Sequence, residues 1–195
     1  MKIQVLIAFL LLLAQLTNAQ SPVPSSEIQV KTAVLAAPME AREGAKVYGY
    51  NQQGEFVVLR EGSNNMICLA DDPNSAGFSV SCYPEELEPF MQRGRELRKE
   101  GKSFKEIFAQ RESEVASKQL IMPEHGTTLF VYFSKDDSAL DLETGEVKNG
   151  NFRYVVYIPY ATPESTGLPL KPTVPGMPWI MDPGTHRAHI MINPE

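Results

Sequence analysis

Two short segments constrain this chain more than any others. Thr127 to Ser134 (TTLFVYFS) and Phe152 to Pro159 (FRYVVYIP) are β-branched and aromatic almost throughout. Successive side chains of a strand point to opposite faces. Apolar groups therefore fall on both faces of each segment, and both faces need cover. This pattern predicts two central strands of a sheet that is buried, or nearly so, on either side.

Shorter strand signals surround them. Lys46 to Tyr50 and Phe56 to Arg60 flank Asn51-Gln52-Gln53-Gly54 and read as a hairpin. Met66 to Ala70 and Phe78 to Tyr83 flank the turn formers Asp71 to Gly77. Arg187 to Ile192 reads as a last strand, and Asp136 to Asn151 as a polar surface excursion. The pair Asp71/Asp72 lacks the spacing of a calcium-binding loop, so solvated turn carboxylates are expected there.

Three helices are expected. Glu27 to Ala37 starts after Ser26 as N-cap and stops at Pro38. Tyr83 to Gly101 has Pro84 at the first helical position, Glu85 and Glu86 in the first turn and Gly101 as the C′ residue. Its apolar face is Leu87, Phe90, Met91, Gly94 and Leu97. Ser103 and Glu106 then form a capping-box pattern. Phe104, Ile107, Phe108, Arg111 and Val115 line the stripe that follows, with the stem of Arg111 at its edge. The joint is short, which predicts an αα-hairpin whose Phe and Met residues are core.

From Pro159 to Pro183 the pattern breaks down. Prolines stand at 159, 163, 169, 172, 175, 178 and 183. Proline cannot donate to a sheet ladder or sit inside a helix, so an irregular loop is expected. A loop this long in a compact domain is usually functional or disordered. Trp179, Ile180 and Met181 argue for one that lies down on the domain.

At the N-terminus, Lys2 precedes an apolar run from Val5 to Leu13, and Thr17 and Ala19 place small residues at −3 and −1 of a cut after Ala19. That is the pattern of a secretory signal peptide over 1–19. The run is short of the roughly 20 residues a spanning helix needs. Residues 20–26 read as a flexible leader and 27–195 as a single domain. The trimmed chain is expected outside the cytoplasm, secreted or periplasmic, and out of the membrane. In that oxidising setting Cys68 and Cys82, the only cysteines, are expected to bridge. The net charge of −6 and the glutamates interrupting the Arg93–Lys105 cluster leave no basic face for nucleic acid.

No catalytic signature stands out. Ser165 lacks the G-x-S-x-G elbow, and no Gly-rich phosphate loop occurs. His125, His186 and His189 could converge as a three-histidine metal site with Asp182 orienting one ring. Residues three apart on a strand point oppositely, so convergence requires His186 to stay in the loop. No cofactor is called for.

The pieces Arg60-Glu61-Gly62-Ser63-Asn64-Asn65 before Cys68, the later Cys82, and Pro178-Trp179-Ile180-Met181 followed by His189-Ile190-Met191-Ile192 resemble those of exported bacterial proteins of unassigned activity. The resemblance implies a bacterial, extracytoplasmic setting and brings no catalytic residues. The expected architecture is α+β: a mainly antiparallel sheet with an inserted helical hairpin, in a single domain after a signal peptide. Two functions fit. One is a non-catalytic binding or interaction domain with Trp179 and its loop at the contact surface. The other is a small secreted hydrolase using His186 or His189 with Asp182, with or without a metal.

Overall fold

The computed structural model describes residues 22–194; the span 1–19 expected as a signal peptide and the first two residues of the expected leader lie outside the described residues. An eight-stranded sheet runs through the domain: β1 (Lys46–Tyr50), β2 (Phe56–Arg60), β3 (Met66–Leu69), β4 (Phe78–Pro84), β5 (Thr127–Ser134), β6 (Asn151–Tyr157), β7 (Trp179–Met181) and β8 (His189–Ile192). Their order across the sheet is β2-β1-β3-β4-β5-β6-β8-β7. Only β1 and β3 pair in parallel; every other neighbouring pair is antiparallel. Helix and sheet together make an α+β domain, and the two apolar segments at 127–134 and 151–157 are interior strands.

Side-chain alternation divides the core into two layers. On one face Val47, Cys68, Val80 and Cys82 pack under α1 (Ser26–Ala33) and the 3-10 turn Val34–Ala36 that continues it. On the other face Ile67, Tyr83, Leu129, Val155 and Tyr157 meet Leu87 and Phe90. Each buried side chain of this size contributes about 1.5–3 kcal/mol. α1 is capped by the Ser25 hydroxyl, which accepts the Ile28 N–H. The cap is thus one residue earlier than the sequence suggests.

Cys68 and Cys82 are directly opposite in the β3–β4 ladder and are joined by a disulfide. Both are fully buried, and the Cys82 sulfur lies 3.3 Å from the Ala33 carbonyl. The bridge therefore also sits against the end of α1.

The region after Tyr83 corrects the expected helix start. Pro84 stays in β4 opposite Met66, and the Glu85 N–H extends the ladder to the Asn65 carbonyl. Sheet pairing wins there. A 3-10 turn, Glu85–Leu87, leads into α2 (Glu88–Lys99), which has Pro89 in its first turn. Gly101 adopts a φ of +81°, and the Lys102 N–H bonds the Leu97 carbonyl, closing the helix C-terminus. α3 (Phe104–Ala116) carries the full Ser103–Glu106 capping box.

α2 and α3 are tied by Arg93, whose guanidinium donates to Glu114 at 2.8 Å. Arg111 is not an edge residue: it is buried, with its guanidinium carbon 3.9 Å from the Phe90 ring centre. Gly94 makes room for it, since a Cβ there would lie 3.0 Å from Arg111 Nη1. Phe104, expected in the core, is 65% exposed. It occupies the first position of α3, where the chain has only begun to turn inward, and the Arg187 guanidinium covers its ring at 5.3 Å.

Candidate functional site

The sequence-nominated residues cluster near the junction of β7, β8 and the helices. The stretch 159–183 is not wholly irregular. Thr162 caps a one-turn helix, α4 (Pro163–Thr166), and Trp179–Met181 form edge strand β7. This tripeptide lies between Pro178 and the turn after Met181 and contains no proline, so it can pair with β8 on one edge while the Ile180 N–H turns outward to the Pro169 carbonyl. Trp179 stands opposite Met191 and Met181 opposite His189. Trp179 is half-buried.

Asp182 follows with a left-handed φ of +50°, and its carbonyl accepts from the Thr185 N–H and hydroxyl. That turn swings Arg187 back, and the Asp182 carboxylate pairs with the Arg187 guanidinium. The expected Asp182–histidine contact is therefore replaced by an ion pair with arginine, the stronger permanent charge.

His186 remains in the lead-in to β8 and is fully buried. Its ring packs edge-on against Phe108 at 4.9 Å and Phe90 at 5.8 Å. Neither ring nitrogen has a hydrogen-bond partner, although Nδ1 lies 3.7 Å from the Glu112 carboxylate. Burial holds its pKa below the ordinary value; Glu112 pulls the other way, and the Arg111 and Arg187 charges add to the depression. His189, 1% exposed, directs Nδ1 at the Arg187 carbonyl at 2.7 Å, so that nitrogen carries the proton. Its pKa is likewise lowered, chiefly by burial.

The two imidazoles do not meet. Contact runs from His186 to Phe90, from Phe90 to Tyr157 at 5.5 Å, and from Tyr157 to His189 at 5.5 Å. His125 is exposed in the turn before β5. Among the described residues, no group of three or more His, Cys, Asp and Glu side chains is placed to hold a metal ion. A general base must reach the proton that it abstracts. Both late histidines are closed off from solvent, and the carboxylate that would orient one of them is engaged elsewhere.

The outer surface of the same region is different in kind. Tyr160 is 50% exposed, Leu170 62% and Val174 58%, with Met181 also exposed. These side chains stand on a braced segment. The Ile180 N–H bonds the Pro169 carbonyl, the Thr166 hydroxyl bonds the Thr162 carbonyl, and the Gly184 N–H bonds the Ala161 carbonyl. Sequence reading singled out Trp179 and missed Leu170 and Val174. Their separation by prolines was the available signal, because apolar residues in a segment that cannot join a sheet have no ladder to bury them.

Comparison with protein-family models, with curated proteins and with solved structures finds no match to this chain.

Proposed function

We propose that the chain is an exported bacterial binding domain, acting in the periplasm or outside the cell, with the 159–183 segment as its contact surface. The observation that carries this reading is the exposure of Tyr160, Leu170 and Val174 on a segment held by hydrogen bonds. Large apolar side chains shown to water by an ordered surface segment make it a candidate contact surface. Trp179 anchors the segment at its β7 end. The helical hairpin inserted between the early and late strands is the scaffold behind it, through His186, Arg187 and Phe104.

Export is supported by the N-terminal leader pattern, by the buried Cys68–Cys82 bridge, and by the absence, among the described residues, of any helix long and apolar enough to cross a membrane. The resemblance to exported bacterial proteins points the same way. No observation favours a hydrolase using His186 or His189, because both rings are enclosed.

Two measurements test the reading. Mass spectrometry of the protein recovered from a producing bacterium should find a new N-terminus after Ala19 in the extracytoplasmic fraction. A photo-crosslinker placed at Val174 should capture one defined partner in that culture, and Leu170→Asp should abolish the capture without lowering Tm. An untrimmed cytosolic chain would overturn export. Crosslinking that survives Leu170→Asp would overturn the contact surface.

A further inference from the structure

A second surface, at the opposite end of β6 from the 159–183 segment, has the makings of a ligand site. Where β5 ends and β6 begins, an open cleft of about 490 Å³ is lined by Phe133, Lys135, Asn149, Asn151, Arg153 and Asn193, among others. That volume is in the usual range for small-molecule sites.

Arg153 is the centre of it. Its guanidinium stacks 4.7 Å from the Phe133 ring centre, and its Nε donates to Asn193 Oδ1 at 2.9 Å. These two contacts fix the plane of the guanidinium and occupy one of its five N–H groups. No carboxylate pairs with Arg153 or with Lys135 among the described residues. Asp136, which also lines the cleft, turns its carboxylate to Ser138, accepting from that residue's N–H at 2.9 Å and hydroxyl at 2.7 Å. Arg153 and Lys135 thus put two cations on the cleft wall against the one carboxylate of Asp136. A pre-oriented guanidinium offers a fork that matches a carboxylate in bidentate fashion.

The remaining wall is made of carboxamides. Asn151 donates to the Asn149 carbonyl at 2.9 Å, which leaves its own Oδ1 and the Asn149 side chain available. An amide presents donor and acceptor together, the complement of a hydroxyl group.

We propose that this cleft binds a small hydroxylated carboxylate, with Arg153 holding the carboxylate, Lys135 adding charge and the Asn149 and Asn151 amides reading hydroxyls. The site is independent of the apolar segment at the far end of β6.

The test is an amide-resolved NMR titration of the trimmed protein with galacturonate, galactose and inorganic phosphate as probes. Galacturonate is expected to shift the amides of Ser134, Lys135, Asn151 and Asn193 saturably, while galactose leaves them in place. Arg153→Lys keeps the charge but loses the fork, and should weaken galacturonate at least tenfold. Lys135→Gln, on the surface, should weaken it several-fold and serves if the Arg153 variant fails to fold. No galacturonate shift at millimolar concentrations overturns the proposal. So does equal binding of galactose, tighter binding of phosphate, or an affinity that neither substitution changes.

Discussion

The imidazole of His186, fully buried, stands 3.7 Å from the carboxylate of Glu112, with Arg111 and Arg187 also nearby. Burial outweighs the single acidic neighbour, and the folded state keeps His186 and His189 neutral. Unfolded histidines take up a proton near pH 6.5. Because the folded-state values are depressed, stability is complete above pH 6.5 and is lost as pH falls below it. Each tenfold loss of proton affinity on folding is worth about 1.4 kcal/mol. Thermal melts from pH 8 to 5 should show Tm falling on the acid side. Glu112→Gln should steepen that fall, and His186→Phe should flatten it. A pH-independent Tm in this window would refute the account.

The Cys68–Cys82 bridge closes a short loop, with a sequence separation of 14. In the chain-entropy model such a loop is worth about 3 kcal/mol. Replacing both cysteines by alanine, or adding reductant, should lower Tm by roughly 6–12 °C in a domain of this size. Thiol labelling of the native protein should be near zero, and stoichiometric labelling would contradict the bridge.

Asp71 carries the opposite pH signature to the histidines. Burial raises its carboxyl to about 6, with Asp72 adding repulsion, while the Ser79 N–H bond opposes the rise. The folded state holds this proton more tightly than the unfolded one. Its contribution therefore weakens as pH rises from about 4 to about 6. Asp71→Asn keeps an acceptor for Ser79 and removes the desolvated charge. It should gain on the order of 1 kcal/mol above pH 7, after discounting for partial exposure, and little at pH 4. Urea unfolding at the two pH values measures the difference.

Tyr83, Glu88 and Arg95 form a closed network beneath the β1–β2 hairpin. The Tyr83 hydroxyl donates to Glu88 at 2.7 Å, and Arg95 donates to the Tyr83 oxygen at 2.9 Å and to Glu88 at 2.6 Å. Arg95 also lies 5.4 Å from the Phe56 ring centre. Tyr83→Phe keeps the ring and strips the hydroxyl. It should cost about 1–3 kcal/mol, read from the denaturant midpoint, the penalty of leaving buried polar partners short of a bond.

What could be read in the sequence was whatever local chemistry decides. The 127–134 and 152–159 runs read as interior strands and are so, although Phe152 at the start of β6 stays exposed and cover on the two faces is incomplete; the Ser103–Glu106 box fixed the start of α3. Misreadings came where tertiary pairing overrode a local signal. Pro84 carries a helix-start signal, yet Met66 across the ladder keeps it in β4. Trp179 sits among prolines, yet β8 recruits it as a strand. At the candidate site, His186 and His189 were identified, but their separation by Phe90 and Tyr157 depends on α2 and β6, which no spacing near residue 186 encodes. Arg187 was overlooked as the partner of Asp182 for the same reason, since the left-handed turn at Asp182 brings the two together.

The two margins of the sheet are unlike. At β7 the Ile180 N–H is already spoken for by the Pro169 carbonyl, and prolines crowd the approach, so another chain finds little backbone to grip. At β2 the run Phe56-Val57-Val58-Leu59-Arg60 has, among the described residues, a neighbouring strand on one side only, and Phe56 and Val58 are exposed. Growth by strand addition is thus directional in this molecule. At high concentration, intermolecular ribbons would nucleate at residues 56–60 and leave the proline-guarded rim untouched.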